Sequence, residues 1–180
     1  MKFPFNILWI SGMSGSGKST LAQHVKQYFE LEGYKVHIID GDDIRDNDSQ
    51  KLGFEYKDVE INNNRIAKLC LESKANGLDL VIVPVISPYQ EIRRKIRKML
   101  EPDFHLVYLE TDLDELVKRD TKGLYKLARA GVIKDLIGYS ENNPYEIPSN
   151  PDLVINTNKE DLLSHSKDTL LNYVKTIMLK

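Results

Sequence analysis

Short apolar runs alternate along the chain with segments in which apolar residues recur every three or four positions. The runs are typical of buried parallel strands, and the recurring pattern is typical of amphipathic helices. Because this alternation is characteristic of a parallel sheet with helices on both faces, we predict an α/β fold. The carboxyl ends of the strands should then share one edge, where such folds bind ligands. The predicted strands are Asn6–Ile10, Lys35–Ile39, Leu78–Val85, His105–Leu109 and Leu153–Ile155.

Local signals predict where two helices begin. Asp112 precedes the apolar positions that start at Leu113, and Glu115 follows three residues later, which is the spacing of a capping box. Similarly, Asn158 opens a final helix that runs toward Met178. We therefore expect one helix after the fourth strand and one after the fifth.

The predicted helix from Tyr89 to Leu100 places five cations beside an apolar stripe. Exposed charges on an amphipathic helix are common, so we interpret them as a solvated face. The cations are Arg93, Arg94, Lys95, Arg97 and Lys98.

Composition limits the classes of protein that fit this pattern. A chain of 180 residues, 41% hydrophobic and 29% charged, predicts a single globular domain over residues 1–180. The net charge of −2 argues against a general nucleic-acid binder, which would need surplus lysine and arginine. Cys70 is the only cysteine, so an internal disulfide is excluded, and the four histidines lack the spacing of paired zinc ligands.

The sequence gives no sign of a targeting or membrane segment. The apolar stretch near the N-terminus is too short for a signal peptide, and no apolar run is long enough to span a bilayer. We therefore expect a cytoplasmic protein with neither a membrane nor a nucleic acid among its partners.

The segment GMSGSGKST, residues 12–20, joins the first strand to a helix and predicts a phosphate-binding loop. Its glycines allow successive backbone N–H groups to point into one nest at the positive end of the helix. Lys18 would bind the outer phosphates of ATP, and the Ser19 hydroxyl would be a ligand of Mg²⁺. The predicted ATP-binding residues of the loop are Gly12, Ser14, Gly15, Ser16, Gly17, Lys18, Ser19 and Thr20.

A second polar cluster follows the second strand. Asp40 and Asp42 flank Gly41, so both carboxylates can face the same side, next to the phosphate-binding loop. Phosphoryl transfer needs one carboxylate to hold the hydrated metal and another to take the proton of the acceptor hydroxyl. This pair can do both, with Asp40 as a metal ligand, and together with Lys18 it supplies the catalytic candidates. Two coupled carboxylates leave open which one is the base.

The stretch from residue 118 to residue 151 has no clear strand but contains several glycines and prolines among its charges. Loops of this length in compact domains are usually functional. Beside a phosphate-binding loop, it predicts a mobile lid over the nucleotide, approximately residues 119–150. The expected fold class is therefore α/β, a P-loop NTPase-type parallel sheet with helices on both faces and a mobile lid.

An ordered series of motifs resembles the adenylylsulfate kinase family over nearly the whole chain. GMSGSGKST and DGDDIR are followed by KLGF at 51–54, ISPY at 86–89, RDTKGLYK at 119–126 and NPDLV at 150–154. The stretch RDTKGLYKLARAG is the most specific of these. The resemblance implies a kinase that uses ATP and Mg²⁺ and transfers the γ-phosphoryl group to the ribose 3′-hydroxyl of a nucleotide.

The resemblance also implies roles for individual residues. Asp42 would be the carboxylate on the acceptor side, and Arg119, Lys122 and Lys126 would be lid cations that close on the ATP phosphates. An arginine offers a planar fork for an oxyanion, and an aromatic face suits a base. The residues implied to bind the acceptor, besides Asp42, are Arg45, Phe54, Asn62, Ile86 and Ser87.

Several positions on the acceptor side depart from the family pattern. Where the family has an arginine that grips the sulfate-bearing end, this chain has Val59, and losing such a cation typically costs about 2 to 5 kcal/mol. Arg65 or Lys57 could replace the missing charge. Leu136 takes the place of one of two expected base-stacking aromatics, and Gln90 takes the place of an arginine after SPY.

Three functional hypotheses therefore stay open. A valine suits a neutral amidate better than a sulfate, so cytidine diphosphoramidate, used in bacterial capsule biosynthesis, is slightly favoured as the acceptor. The alternative acceptor is adenylyl sulfate, as in sulfate assimilation. A third hypothesis is an ATP-dependent switch or binding module without small-molecule kinase activity. The expected partner is a small-molecule nucleotide substrate, and a homodimer is left open.

Overall fold

A computed structural model describes residues 4–46, 52–158 and 163–179 of the chain. Its five strands are β1 (Asn6–Ser11), β2 (Val36–Ile38), β3 (Leu80–Val85), β4 (Phe104–Glu110) and β5 (Leu153–Asn156). They form one parallel sheet in the order β2-β3-β1-β4-β5, which confirms the predicted architecture. The helices are α1 (Lys18–Leu31), α2 (Gly41–Asp46), α3 (Tyr56–Ala75), α4 (Gln90–Leu100), α5 (Leu113–Arg119), α6 (Leu124–Arg129) and α7 (Leu163–Met178).

Side chains of the central strand β1 alternate between two hydrophobic layers. Ile7 and Trp9 pack in the layer formed with α3 and α4, whereas Leu8 and Ile10 pack in the layer formed with α1 and α7. All four side chains are fully buried. Because helices cover both faces of the sheet, its central strands are apolar along their whole length, which is why the sequence displays them as continuous apolar runs.

Helix α5 begins at the predicted residue, but it is capped differently. The side chain of the N-cap residue Asp112 makes no capping hydrogen bond. The Asp112 N–H donates to Asn158 Oδ1 at 2.6 Å, and Glu115 forms ion pairs with Arg119 and Lys118. The predicted capping box is therefore wrong, because both of the groups that would close it have other partners.

The last helix, α7, is described from Leu163 to Met178. Its predicted start at Asn158 is followed by residues 159–162, which lie outside the described residues. Within the part of the chain that the structure describes, no helix is both long enough and apolar enough to cross a bilayer.

Helix α4 does not present all of its cations to solvent. Arg94, Lys95 and Lys98 are exposed, but Arg93 is only 2% exposed. Arg93 directly follows the buried Ile92 and therefore lies at the edge of the apolar stripe, where the helix packs against the protein. The prediction of a solvated face is wrong at this position.

The region predicted as a lid contains the end of α5, the short helix α6 and a series of turns. A small hydrophobic cluster that includes Leu116, Tyr125 and Leu136 holds the region together. The mobility of this region stays a prediction, as does the organisation of residues 1–180 into a single domain.

The lid region packs directly against the phosphate-binding loop at two points. The Tyr125 hydroxyl donates to the Ser14 carbonyl at 2.8 Å. Farther along, Gly138 lies so close to Met13 that a Cβ at position 138 would overlap the Met13 sulfur. In the described conformation, this region and the phosphate-binding loop are therefore in contact.

Candidate active site

The phosphate-binding loop joins the end of β1 at Ser11 to the start of α1 at Lys18. Gly15 and Gly17 have φ angles of 82° and 94°, in the left-handed region that favours glycine. At Gly12, a Cβ would lie 2.7 Å from Ser16 Oγ, so this turn has no room for a side chain. These glycines therefore allow the chain to wrap around the N-terminus of α1.

A cavity of about 230 Å³ lies beside the loop at the carboxyl edge of the sheet. Four segments contribute to its wall: the phosphate-binding loop, the acidic turn (residues 40–42, where α2 begins after β2), the end of β3 and the lid. The structure thus brings four separate segments of the chain to one place. The predicted site residues that line this cavity are Ser14, Gly15, Gly17, Lys18, Ser19, Thr20, Asp40, Asp42, Ile86 and Lys122.

The Lys18 ammonium lies within the loop, where Nζ donates to the Met13 carbonyl at 2.8 Å. Desolvation by burial lowers the pKa of Lys18 to about 8, an effect that the nearby Asp42 and Asp40 carboxylates offset only in part. A poorly solvated ammonium gains more from an incoming anion than an exposed one does. This environment therefore suits an oxygen of a polyphosphate.

Ser19 and Asp40 form a pair of oxygen ligands next to the loop. The Ser19 hydroxyl donates to Asp40 Oδ2 at 3.3 Å, and Asp40 Oδ1 accepts the N–H of Asp42 at 2.9 Å. Mg²⁺ binds hard oxygen atoms, typically one or two protein groups together with substrate phosphates and waters. No group of three His, Cys, Asp or Glu side chains in the described ranges could hold a metal by itself. The pair therefore fits a magnesium ion that arrives with a nucleotide.

Asp42 and Lys122 form an ion pair across the cavity, with 2.6 Å between Asp42 Oδ2 and Lys122 Nζ. Burial by itself raises the pKa of Asp42, but the Lys122 hydrogen bond and the charges of Lys122, Lys18 and Arg45 lower it overall. The same hydrogen bond raises the pKa of Lys122. Asp42 is therefore a carboxylate at neutral pH, and the lid is tied to the acidic turn.

Arg45 and Phe54 lie together on the predicted acceptor side. The Arg45 Cζ atom is 4.6 Å from the centre of the Phe54 ring, a cation–π contact. Burial lowers the pKa of Arg45 whereas the charge of Asp42 raises it, and an arginine stays protonated under such conditions. Because Phe54 is 41% exposed, this pair offers a cation and an aromatic surface beside Asp42.

Two positions on α3 that the sequence assigned to the acceptor face the interior. Asn62 is fully buried, and its Nδ2 donates to the Gly41 carbonyl at 3.2 Å, so it supports the acidic turn. Asn62 Oδ1 is buried without a hydrogen-bond partner among the described residues. Val59 is 1% exposed and packs in the core with Ile66. Val59 is therefore part of the core in this structure, and its place beside the acceptor stays a prediction.

Leu136 and Arg65 also lie apart from the main cavity. Leu136 is 5% exposed and packs in the lid cluster with Leu116. Its side chain packs within the lid, and its contact with the substrate stays a prediction. Arg65 is half-buried on α3, and it is not among the described residues that line the cavity of Asp42.

Ile86 and Ser87 follow β3 at the end of the cavity. The Ser11 hydroxyl donates to the Ile86 carbonyl at 2.6 Å. Ser87 has a φ angle of 44°, which is uncommon for a residue other than glycine, and its hydroxyl is buried without a partner in the described parts of the chain. Such strain and unsatisfied polarity concentrate at functional sites, which fits the predicted role of Ser87.

Sequence reasoning missed Arg93 and Tyr145. The Arg93 guanidinium donates to the carbonyls of Ser87 and Glu146, each at 2.6 Å. The Tyr145 hydroxyl hydrogen-bonds with Ser11 Oγ at 2.7 Å, and burial raises the pKa of this phenol. Together these side chains join the end of the lid to the turn after β3. One feature of the sequence pointed to Arg93: it lies at the edge of the apolar stripe of α4.

Arg119 lies at a second cavity, of about 310 Å³, beside the phosphate-binding loop. Its guanidinium donates to Glu115 Oε1 at 3.1 Å and to the Thr157 carbonyl. Arg119 does not line the cavity that holds Lys122, so the prediction that both cations close on the same phosphates does not fit this conformation. The second cavity adjoins the loop through Ser16, Gly17 and Thr20. The residues that line it are Ser16, Gly17, Thr20, Leu21, Arg119, Thr157, Leu163 and Ser166.

Lys126 is exposed on α6. The backbone N–H groups of Lys126 and Tyr125 donate to the Asp120 carboxylate at 2.9 and 3.0 Å, which fixes the start of this helix. The Lys126 side chain therefore points from an ordered turn of the lid into solvent.

Comparisons with known proteins agree on one family. The family model described as Adenylylsulphate kinase matches residues 5–156. A relative named adenylyl-sulfate kinase, from Bacillus pumilus, is 42% identical over 170 residues, which cover 94% of this chain and 84% of the relative. A probable adenylyl-sulfate kinase from Aeropyrum pernix is 34% identical, and the match covers 96% of this chain and 93% of that protein.

Solved structures give the same result. The APS kinase of Mycobacterium tuberculosis, in a complex with AMPPNP and APS, superposes with a TM-score of 0.81 at 31% identity and covers 98% of this chain and 99% of that chain. A gluconokinase from Sinorhizobium meliloti, at 16% identity and a TM-score of 0.57, shares the fold alone.

Proposed function

Because the chain belongs to the adenylylsulfate kinase family, we propose that it transfers the γ-phosphoryl group of ATP to the ribose 3′-hydroxyl of adenylyl sulfate. The chain is an ATP-dependent phosphotransferase with an alcohol group as acceptor. The observation that supports the proposal most directly is that Lys18, Asp42 and Lys122 line one cavity. A phosphoryl donor and an acceptor hydroxyl can therefore meet between a cationic loop and a carboxylate.

On the donor side, the loop N–H groups and Lys18 bind the β- and γ-phosphates. Lys18 exchanges the Met13 carbonyl for a phosphate oxygen, whose negative charge offsets the desolvation that lowers the pKa of Lys18. Ser19 and Asp40 would hold Mg²⁺, which when bound supplies positive charge to the phosphate oxygens. Lys122 would add a cation from the lid, and the closed lid would exclude water from the phosphates.

On the acceptor side, Asp42 accepts the proton of the 3′-hydroxyl. The hydroxyl oxygen then forms a bond to the γ-phosphorus while the bond to the β–γ bridging oxygen breaks and ADP leaves. Asp42 suits this role better than Asp40, because both Asp40 oxygens already accept hydrogen bonds, from Ser19 and from the Asp42 N–H. Phe54 and Arg45 would meet the base and an anionic group of the acceptor.

The choice of adenylyl sulfate reverses the slight preference drawn from the sequence. That preference depended on Val59 and Leu136 facing the acceptor, and both side chains are buried in packing instead. Neither side chain lines the cavity of Asp42 among the described residues, so neither supports a neutral or smaller acceptor. The relatives of about 40% identity are named adenylyl-sulfate kinases, which supports the sulfated nucleotide.

The test compares kcat/KM for adenylyl sulfate and cytidine diphosphoramidate, with saturating ATP and Mg²⁺ and detection of the phosphorylated nucleotide by mass spectrometry. We expect adenylyl sulfate to be preferred by about tenfold or more, which corresponds to ~1.4 kcal/mol. Asp42→Asn should lower kcat by about a hundredfold, because a general base typically contributes that much. Asp43→Asn, which changes the neighbouring exposed carboxylate, is the matched control.

Each contrary result has a distinct meaning. Preference for the cytidine compound would overturn the proposed acceptor and keep the kinase. Tight ATP binding without a phosphorylated product from either nucleotide would overturn the kinase proposal and favour an ATP-dependent switch. A normal rate in Asp42→Asn would remove Asp42 from the mechanism.

A further inference from the structure

Asn143 is a buried residue in a tight turn of the lid. Its side chain and backbone together are 4% exposed. Its backbone N–H donates to the Ser140 carbonyl at 3.0 Å, and its carbonyl accepts the N–H of Gly138 at 2.8 Å. Its Nδ2 donates to the Asp135 carbonyl at 2.9 Å. The amide group is therefore held in one orientation by the lid itself.

Two further hydrogen bonds of this amide leave the lid. Asn143 Nδ2 also donates to the Phe54 carbonyl at 3.1 Å, and Oδ1 accepts the Tyr89 hydroxyl at 2.7 Å. Tyr89 packs in turn on Tyr56, with 4.8 Å between ring centres. Both N–H groups of the Asn143 amide donate hydrogen bonds, and its oxygen accepts one. One side chain thus joins the lid, the segment before α3 and the turn before α4.

The bond to Phe54 lies close to the reacting groups. The Phe54 ring is in contact with Arg45, and the charge of Arg45 acts on Asp42. The hydrogen bond fixes the backbone from which the Phe54 ring projects. A displacement of about 1 Å in a group that positions a substrate can lower the reaction rate a hundredfold. The hydrogen bond from Asn143 therefore matters if the acceptor base stacks on the Phe54 ring.

We propose that Asn143 is a positioning residue for the acceptor, because it holds Phe54 in place when the lid is closed. Lid closure and acceptor binding are then coupled through one buried amide. The inference rests on the proposed function, in which Phe54 contacts the acceptor base. Among the described residues, Asn143 does not line the cavity of Asp42, and it acts through its hydrogen bonds with Phe54 and Tyr89.

The first test is Asn143→Asp, which keeps an oxygen for Tyr89 and removes both amide donors. We expect KM for adenylyl sulfate to rise about tenfold, as for the loss of a buried hydrogen bond, while KM for ATP changes by less than about twofold. Asn142→Asp makes the same chemical change at the neighbouring exposed position and should leave both values unchanged. Equal rises in the two KM values of Asn143→Asp would indicate general damage and overturn the inference.

A double-mutant cycle with Phe54→Ala tests whether Asn143 acts through Phe54. If it does, Asn143→Asp should have little further effect on the KM for adenylyl sulfate in the Phe54→Ala background. A merely structural role would give the same fold-change in both backgrounds. Full additivity would therefore overturn the inference.

Tyr89→Phe is a milder variant. It removes only the hydroxyl that donates to Asn143 Oδ1 and keeps the ring that packs against Tyr56. It should raise the KM for adenylyl sulfate about threefold without changing thermal stability by more than a few degrees. This variant decides the question if Asn143→Asp does not fold. An unchanged KM for adenylyl sulfate in Tyr89→Phe would overturn the inference.

Hydrogen exchange separates failure of this inference from failure of the proposed function. If the wild-type protein does not phosphorylate adenylyl sulfate, the proposed function is wrong, but the coupling can still be measured without substrate. Asn143→Asp should then speed exchange of the Gly53 amide, which donates to Asp58 Oδ2 at 3.0 Å. Unchanged protection of Gly53 would overturn the coupling itself.

Discussion

Lys18 carries its charge inside the phosphate-binding loop, where burial lowers its pKa from 10.5 to about 8. Between these two pH values, the unfolded chain binds a proton that the folded chain has released. The contribution of Lys18 to stability therefore rises with pH across this window. Below pH 8 the buried charge costs stability in the ligand-free protein, and a bound phosphate would offset that cost.

Lys18→Met should accordingly stabilise the ligand-free protein at pH 7, by about 1 to 3 kcal/mol. It should also remove the rise in stability between pH 8 and pH 10.5 and weaken ATP binding. Urea unfolding at pH 7 and pH 10 without nucleotide measures the stability, and Lys26→Met on the same helix is the control. A Lys18→Met protein less stable than the wild type at pH 7 would contradict this account.

The residues of the loop could be predicted because their spacing alone fixes the chemistry. Gly15 and Gly17 need left-handed backbone, and Lys18 follows at the start of a helix, wherever the rest of the chain lies. Val59 and Leu136 could not be predicted in this way. Whether a residue on a helix or in a lid faces a ligand or the core depends on tertiary packing, which single positions do not encode.

Among the elements, the strands were predictable from sequence because a parallel sheet covered on both faces is apolar along whole strands. Helix α4 was less predictable, because five cations at helical spacing look alike in sequence. Arg93 differs from Arg94 only by a rotation of about 100° around the helix, which turns it toward the lid. There its guanidinium donates hydrogen bonds to the carbonyls of Ser87 and Glu146.

Arg93→Met should destabilise the protein by about 2 to 4 kcal/mol, because two buried carbonyls lose their donor. Arg94→Met should change stability by less than about 0.5 kcal/mol, since Arg94 makes an exposed ion pair with Glu91. The free energy of unfolding in urea measures both. Similar losses in the two variants would refute the assignment of Arg93 as a buried anchor.

At the scale of the whole molecule, the lid is attached to the rest of the site at two ends. Near α6, the Lys122–Asp42 ion pair links it to the acidic turn. Beyond residue 133, Asn143 and Tyr145 hold it to Phe54 and Ser11 by partly buried hydrogen bonds. Exposed ion pairs are weak, whereas the Tyr125 hydroxyl of α6 makes a buried hydrogen bond with the Ser14 carbonyl, so the residues before α6 should open first.

Lys122→Met should therefore speed hydrogen exchange in residues 119–124 of the ligand-free protein and leave residues 135–146 protected. Loss of the ion pair with Asp42 is the physical cause. Mass spectrometry of peptic fragments measures both segments, and Lys134→Met, an exposed lid lysine, is the control. Equal acceleration in both segments would show that the lid opens as one unit.

The lack of a side chain at Gly138 bears on the whole catalytic cycle. Its φ angle of 78° favours glycine and an added Cβ would overlap the Met13 sulfur, so a side chain at position 138 would strain the backbone and force Met13 or the lid to move. A lid displaced in this way would admit water, which competes with the nucleotide alcohol for ATP. A larger residue at position 138 is therefore expected to raise ATP hydrolysis relative to transfer.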